Sequence, residues 1–562
     1  MERNTLFEGR IAAPLTVVAT AHGRRRPVWQ SGRRLAGLVA AGILALGLDA
    51  AEPVRAADAP NELRVIAHSN ITMLDPIWTT AYLTRNFGYM VYDTLFGTDA
   101  EGRIQPQMVQ DWTVSDDGLT WTFTLREGLK FHDGEPVTSA DVIMSLRRWA
   151  SRDTLGGLLE QSLDHYDLLD DRTFQLVLAQ PFGMVLEALG KPSSNVPFIM
   201  PERVARTPGD QQIREAIGSG PYRFVESEFR PGESVLFVRN EDYVPRDEPP
   251  SGTAGGKQVY VDQVKWLIIR DPQTQLNALL NGEADILEQP AFEQYPVLAA
   301  DPDIEIVNAQ PAGLQYSMRF NFKHPPFDNP EIRRAAMLSL GQEQFLKTQV
   351  GIADYYRFCT SMFPCGTPFA SEQTGGYTGR ADPAAARALL EKAGYQGEPV
   401  VLLQPTDLSH INKLPLVARQ QLERAGFKVD LQSMDWQTLV SRRARQDAPA
   451  QGGWNLFLTA WVAEDILNPL TMAMMNARGD QGWFGWQDDP ELERIKREFA
   501  RATTDADKKQ WAERAQLRAF ETASHVPLGQ YIVPPAVRKG VTGIVPAGAQ
   551  VYWNIRKDPQ GE

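Results

Sequence analysis

The clearest alternation of apolar and polar positions lies within residues 118–142. Trp121, Phe123 and Leu125 alternate with threonines and an arginine, which predicts a strand with one buried face. A Glu-Gly turn, a short second strand over residues 129–131 and an Asp-Gly turn are expected to follow. This part of the chain is therefore predicted to form a β-hairpin.

A helix is predicted directly after this hairpin. Thr138 stands three residues before Asp141, which is the spacing of a capping box. The apolar positions that follow recur at helical spacing and define one buried stripe. These positions are Val142, Ile143, Leu146 and Trp149.

Two further regions, residues 264–287 and 399–431, show the strand–helix–strand order that is typical of an α/β sheet. In each region a glycine, Gly282 or Gly426, is expected to end the helix. The sequence Asp382-Pro383 predicts the start of another helix. Because the two α/β units are far apart in the chain, they indicate two lobes rather than one continuous sheet.

The N-terminal residues 1–56 have the pattern of an export signal. Arg24, Arg25, Arg26, Arg33 and Arg34 form a basic region before the apolar segment 35–48, and Val54-Arg55-Ala56 offers a cleavage site. A membrane anchor is the alternative, although the apolar segment is short for a membrane span. Arg33-Arg34 also leaves open a twin-arginine signal.

The chain has a formal net charge of −13, and the segment 1–56 holds more basic than acidic residues. The exported part is therefore still more acidic, which disfavours binding to nucleic acid or to anionic lipid. With 562 residues the chain is too long for one compact core, so two or more domains are expected.

No residue pattern indicates a catalytic or cofactor site. The glycines and lysine of 251–257 imitate a phosphate loop at the wrong spacing, and Ser219 lacks the nucleophile elbow of hydrolases. The only cysteines, Cys359 and Cys365, favour a local disulfide in an exported protein, with a metal site as the sharper alternative. We therefore expect no cofactor and no metal.

As a string, LREGLKFHDG followed by Ala-Asp-Val resembles the signature of bacterial extracellular solute-binding proteins of family 5. These are the dipeptide-, oligopeptide- and nickel-binding receptors of ABC transporters. Other segments resemble the family in the same order along nearly the whole exported chain. They are residues 74–76, 118–142, 218–222, 239–243, 281–285, 320–321, 325–327, 332–335 and 389–395.

The resemblance implies an α/β fold with two lobes around a cleft, the type II periplasmic-binding-protein fold, with an extra subdomain inserted in lobe one. The strands that cross between the lobes are expected near 311–320 and 524–531. The implied boundaries are 1–56 for the signal peptide, 57–104 and 216–310 for lobe one, 105–215 for the insert, 311–526 for lobe two and 527–562 for the return to lobe one.

Candidate ligand-binding residues follow from the strand predicted over 456–458. In open α/β sheets ligands bind beyond the carboxyl ends of strands, so Trp461 and the acids after it should face the cleft. The segment resembles the family segment in which a carboxylate pairs with the ammonium of a bound peptide. Glu464 has the family spacing from the tryptophan, but an extra residue before 468–469 leaves Asp465 as the alternative. Both acids could instead be solvated at a loop tip.

The resemblance adds candidates on both walls of the cleft. Arg443 suits a ligand carboxylate, although the neighbouring arginines leave open a solvated basic face. The candidates in addition to Trp461, Glu464 and Asp465 are Trp436, Arg443, Thr79, Thr80, Tyr82 and Asn321.

The resemblance implies a periplasmic receptor that captures a peptide or peptide-like solute and delivers it to an ABC permease. We expect it to be a monomer, to bind no nucleic acid and not to be an enzyme. The alternatives are an extracytoplasmic hydrolase acting on the same ligand class and a receptor for a nickel chelate, sugar or opine.

Overall fold

The computed structural model describes residues 60–502 and 504–558. The expected signal peptide, residues 1–56, lies outside them. Among the helices of the described residues, none is long and apolar enough to cross a membrane.

The first lobe is built around a seven-stranded mixed sheet. Its central strand, Glu62–Ile66, runs parallel to Gln263–Leu267 and Ile286–Leu287, which are joined by the helix Pro272–Leu280. This is the first α/β unit predicted from the sequence. In spatial order the strands are Tyr222–Phe224, Ser234–Arg239, Gln263–Leu267, Glu62–Ile66, Ile286–Leu287, Ala536–Arg538 and Ile304–Ile306.

The second lobe is built around a six-stranded sheet. Pro399–Pro405 pairs in parallel with Lys428–Met434, as the second predicted α/β unit requires. All of His525–Tyr531 belongs to this sheet, so the boundary expected between residues 526 and 527 falls inside a strand. In spatial order the strands are Tyr356–Arg357, His525–Tyr531, Leu314–Phe320, Leu456–Val462, Pro399–Pro405 and Lys428–Met434.

The strand Thr120–Leu125 pairs with other segments than the one predicted from the sequence. Thr120–Leu125 is a strand, but residues 129–131 contribute only an isolated bridge between Lys130 and Pro136. Thr120–Leu125 instead pairs on both sides in a four-stranded sheet, where Phe123 stacks on Phe174. A full strand on each side buries more apolar surface than a three-residue segment can. The order of this sheet is Val109–Val114, Thr120–Leu125, Thr173–Leu178 and Leu163–Leu168.

Helices cover the three sheets. The capping box of Thr138 and Asp141 is present at the start of Ser139–Ala150, as predicted. The α-helices are Tyr82–Val91, Ser139–Ala150, Thr154–Ser162, Val185–Leu189, Glu202–Ala205, Pro272–Leu280, Tyr295–Ala300, Pro330–Ser339, Gln342–Gln349, Pro383–Lys392, Leu414–Ala425, Trp436–Arg443, Pro490–Arg501 and Asp505–Thr522. The 3-10 helices are Glu226–Glu228, Phe292–Gln294, Ala353–Tyr355, Pro449–Gln451, Ala463–Ile466, Ala473–Met475 and Gly479–Gln481.

Short strand pairs complete the described residues. They are Asp93–Thr94 with Phe198–Ile199, Phe96–Thr98 with Ile104–Pro106, and Val541–Thr542 with Arg556–Lys557. Cys359 and Cys365 form a disulfide whose Cα atoms are 5.8 Å apart.

A buried ion pair fixes the loop that forms the first-lobe wall of the cleft. The Arg148 guanidinium donates to both carboxylate oxygens of Asp75, at 3.0 and 2.6 Å. Both side chains are at most 2% exposed. The same carboxylate accepts the backbone N–H of Ile213 at 3.0 Å. Asp75 therefore ties the segment before Trp78 to the helix Ser139–Ala150.

We expect Asp75→Asn to lower the free energy of unfolding by about 3–5 kcal/mol, because it leaves the Arg148 guanidinium buried without its counter-charge. Urea denaturation followed by circular dichroism measures the change. The control is Glu491→Gln, which breaks the exposed pair of Glu491 with Arg494 and should change stability little. Equal effects of the two substitutions would contradict the role given to Asp75.

Candidate functional site

A cavity of about 1020 Å³ lies between the two lobes. Its first-lobe wall comes from residues 72–80, 151–154 and 191–195, and its second-lobe wall from residues 440–446 and 471–486. The walls are therefore formed by loops and helix ends of both lobes, as in an interlobe ligand site.

A second, smaller cavity of about 40 Å³ adjoins this region, because Thr80 lines both. It lies where the strand Leu456–Val462 ends, at the position that the strand-end rule predicts. Of the sequence candidates, this cavity is lined by Thr80, Tyr82, Trp436, Arg443 and Trp461. The structure thus brings five of the nine candidates together around one small space.

Tyr82, the first residue of the helix Tyr82–Val91, connects the two lobes. Its hydroxyl donates to Asp465 Oδ2 at 2.8 Å and accepts the Val462 N–H at 2.7 Å. Burial and the neighbouring Asp465 raise the pKa of Tyr82 well above its ordinary value, so the hydroxyl keeps its proton and remains a donor.

Asp465 is fully buried at the start of the second-lobe segment that follows the strand. Its Oδ2 accepts from Tyr82, whereas its Oδ1 makes no direct hydrogen bond among the described residues. The Ser194 hydroxyl, which is also without a direct partner there, is close enough to act to lower the pKa of Asp465. Burial raises the pKa of Asp465, whereas the charges of Arg85 and Lys191 act to lower it. Of the residues that act on Asp465, Lys191 lines the large cavity and Tyr82 lines the small one. Asp465 itself lines neither cavity and lies behind the walls of both.

Glu464 points elsewhere. A Cβ placed on Gly548, in the C-terminal segment of the first lobe, would lie 2.7 Å from Glu464 Cδ, so the side chain packs closely on that glycine. Burial and the adjacent Asp465 raise the pKa of Glu464. Glu464 lines neither cavity.

Arg443 is 2% exposed and has no carboxylate within 4 Å among the described residues. Its Nη2 donates to Thr80 Oγ1 at 3.3 Å, and its Nε is buried without a partner. Its guanidinium lies 5.0 to 5.8 Å from the ring centres of Trp436, Phe457, Trp483 and Phe484. Burial lowers the pKa of Arg443 to about 10, so it is a cation at neutral pH.

Trp461 and Trp436 form apolar walls beside Arg443. Trp461 is 3% exposed, its ring centre lies 5.2 Å from that of Trp483, and its Nε1 has no partner. Trp436 donates its backbone N–H to Asp407 at 2.7 Å, which fixes the start of its helix. The indole N–H of Trp461 is thus a free donor beside a cation and an aromatic surface.

Thr79 lines the large cavity, with its hydroxyl accepting the Ala81 N–H at 3.2 Å. Asn321 lines neither cavity, so the geometry of these two cavities does not support its predicted contact with ligand. Its amide donates to the Trp454 carbonyl at 2.9 Å and its carbonyl accepts the Lys323 N–H at 3.0 Å. Leu314–Phe320 runs antiparallel to Leu456–Val462, so its cleft end is Leu314 and Asn321 follows the opposite end.

Two histidines and a glutamine also line the small cavity and were not among the candidates. His68 comes from the first lobe and hydrogen-bonds Glu288 at 2.6 Å through Nδ1. His410 comes from the second lobe, and burial lowers its pKa to about 3, so its ring is neutral and its Nδ1 is unpartnered. Gln289 Oε1 is buried without a partner as well. His68 and His410 each follow a sheet strand within a few residues, which is the signal that could have identified them.

The chain matches known proteins along most of its length. Residues 103–483 match the family model described as "Bacterial extracellular solute-binding proteins, family 5 Middle". Probable peptide ABC transporter periplasmic-binding protein y4tO of Sinorhizobium fredii is 38% identical over 495 residues, 88% of this chain and 93% of that protein. Glutathione-binding protein GsiB of Escherichia coli is 30% identical over 430 residues, 75% of this chain and 79% of that protein. The chain therefore belongs to the bacterial extracellular solute-binding proteins of family 5, as its motifs predict.

Solved structures confirm the fold class. A dipeptide binding protein from Pseudoalteromonas in complex with Met-Leu superposes with a TM-score of 0.74 at 20% identity, covering 88% of this chain and all of that one, 100%. DppA from Helicobacter pylori in complex with the peptide STSA gives a TM-score of 0.74 at 20% identity, covering 89% and 98%. The fold is the two-lobed type II periplasmic-binding-protein fold predicted from the motifs.

We expect Tyr82→Phe to favour the open arrangement of the lobes. The substitution leaves Asp465 Oδ2 and the Val462 N–H without their shared partner, at a cost of roughly 1–3 kcal/mol to the closed form. Small-angle scattering of the ligand-free protein should show a larger radius of gyration for the variant than for wild type.

The matched control for this experiment is Tyr395→Phe. The Tyr395 hydroxyl also donates one hydrogen bond and accepts another. It donates to the Glu398 backbone carbonyl and accepts the Lys428 N–H at 3.0 Å, but both partners belong to the second lobe. A radius of gyration that is unchanged in Tyr82→Phe, or equally changed in both variants, would show that Tyr82 does not hold the lobes together.

Proposed function

We propose that the protein is the substrate-binding component of an ABC importer that captures a peptide or peptide-like solute between its lobes. It presents the closed form to the permease and returns the ligand chemically unchanged. The proposal includes export to the periplasm through residues 1–56 and action as a monomer. A turnover assay with candidate peptides tests whether the ligand stays chemically unchanged, since a receptor releases what it bound whereas a hydrolase releases products.

One observation carries the peptide assignment. Asp465 Oδ1 and Arg443 Nε belong to buried side chains of opposite charge, and neither atom makes a direct hydrogen bond among the described residues. Burying an unpaired charge is costly, so a ligand that pairs both is strongly favoured over one that pairs neither. A free peptide carries an ammonium at one end and a carboxylate at the other and therefore matches both.

The proposed orientation follows from the two charges. Asp465 accepts the ligand ammonium through Oδ1, while Tyr82 continues to hold Oδ2. Arg443, with the unpartnered Trp461 indole beside it, donates to the ligand carboxylate. Side chains of the ligand project into the large cavity, whose 1020 Å³ exceed what one amino acid needs.

The relatives support this ligand class. Two relatives are a probable peptide-binding component of an ABC transporter and a glutathione-binding protein, and glutathione is itself a peptide. Two solved neighbours hold a dipeptide and a longer peptide.

We expect Asp465→Asn to weaken binding of the neutral tripeptide Ala-Gln-Ala by roughly 30-fold or more, because its ammonium loses a buried counter-charge worth on the order of 2–5 kcal/mol. Glu464→Gln is the matched control and should bind close to wild type, since that side chain packs on Gly548. Trp461→Ala should weaken binding by removing a pocket wall. Calorimetry measures all three, with circular dichroism to establish folding. Wild-type affinity in Asp465→Asn would overturn the ammonium–carboxylate pair.

The pH dependence of binding gives an independent test. Burial raises the pKa of Asp465 in the empty site, and a bound ammonium lowers it again. The affinity for the ligand should therefore be highest at pH values above the raised pKa of Asp465 in the empty site. It should fall as the pH drops through that pKa, because the carboxylate becomes protonated and neutral. Between about pH 7 and about pH 4 the affinity of wild type and Glu464→Gln for Ala-Gln-Ala should fall. Asp465→Asn should lack this dependence, and an equal loss in all three proteins would assign it to another group.

A further inference from the structure

The charged side chains along the large cavity are unevenly paired. Those that line it are Arg152, Asp153, Lys191, Arg478 and Asp480. Asp153 forms an ion pair with Lys191 and also accepts the Gly156 N–H at 2.9 Å, where it caps a helix. Asp480 forms an ion pair with Lys323. Both acids are therefore already satisfied, and two arginines remain.

Arg152 projects from the first-lobe wall. Its guanidinium lies 5.0 Å from the ring centre of Trp78 and donates to the Trp78 carbonyl at 3.3 Å. No carboxylate of the described residues lies within 4 Å of it, because Asp75 is held by Arg148 and Asp210 stays beyond that distance. Arg152 is thus held in position by an aromatic ring but lacks a counter-charge.

Arg478 projects from the second-lobe wall toward the same part of the first lobe. Its Nε donates to Asn476 Oδ1 at 3.1 Å, and Asn476 in turn donates to Thr154 Oγ1 at 2.9 Å across the cleft. Its Nη1 would lie 3.4 Å from a Cβ on Gly157. Thr154 and Gly157 begin the helix that directly follows Arg152, so the two arginines flank one region of the cavity. Arg478 also forms no ion pair within the described residues.

We propose that Arg152 and Arg478 form a second anion site that selects peptides carrying an additional carboxylate, such as an acidic side chain. This inference rests on the proposed function, which assigns Arg443 and Asp465 to the two peptide termini. A ligand carboxylate between the guanidinium groups of both lobes would pair these cations and add a contact made only in the closed form.

The test compares Ala-Glu-Ala with Ala-Gln-Ala, which differ only in the charge of the central side chain. Calorimetry at neutral pH should show that wild type binds Ala-Glu-Ala about tenfold more tightly or better. In Arg152→Gln and Arg478→Gln this preference should shrink, while the affinity for Ala-Gln-Ala stays close to wild type. The preference of wild type should also weaken as salt is added.

The matched control is Arg514→Gln. The Arg514 guanidinium lies 4.6 Å from the ring centre of Trp511, much as that of Arg152 lies over Trp78. Like Arg152, Arg514 forms no ion pair within the described residues, but it does not line the cavity. This variant should keep the full preference. Equal binding of the two peptides by wild type, or an unchanged preference in both cavity variants, would overturn the second anion site alone. Failure of wild type to bind either peptide would overturn the proposed peptide function and this inference with it.

Discussion

The hydroxyl of Tyr82 is the point at which the two lobes and the candidate site meet. It lies on the first lobe, yet both of its hydrogen-bond partners, Val462 and Asp465, belong to the second. Separating the lobes exposes a backbone N–H and a carboxylate that were buried together, so opening and solvation of Asp465 are one event. The solvation of the Asp465 carboxylate is thereby coupled to the separation of the lobes.

The closed arrangement leaves charges that only a ligand can complete. Several polar contacts between the lobes are paired, including the Gln437 amide with the Asn70 carbonyl at 2.7 Å and Lys413 with Glu293. Asp465 Oδ1 and Arg443 Nε are not paired. Under the proposed function, a zwitterionic ligand would pair both atoms, and this differential interaction would shift the equilibrium toward the closed form.

Local sequence patterns predicted elements whose partners are close in the chain. The helix start at Thr138 and the parallel pairing of Pro399–Pro405 with Lys428–Met434 depend on neighbouring residues, and both are present. The hairpin with residues 129–131 does not form because both edges of Thr120–Leu125 are paired, one with Val109–Val114 and the other with Thr173–Leu178. The second partner lies about fifty residues away, and no turn signal reveals it.

In the candidate site, too, the features that depend on neighbouring residues were predictable, whereas those that depend on distant residues were not. The position of Trp461 follows from the end of one buried strand, whereas the choice between Glu464 and Asp465 depends on Tyr82 and Gly548, distant residues brought together only by folding. Asn321 lies away from both cavities because of the direction of the preceding strand in the sheet, which is a long-range property that the local sequence does not reveal. His68 and His410 lie on opposite lobes, so their proximity could not be seen in either segment alone.

The most direct test of this account is a crystal structure of the protein with bound Ala-Gln-Ala. The account predicts the ligand ammonium within hydrogen-bond distance of Asp465 Oδ1, the ligand carboxylate on Arg443, and the Tyr82 hydroxyl still on Asp465 Oδ2. A peptide bound in the reverse direction, or bound in the cleft with Asp465 and Arg443 both unpaired, would contradict it.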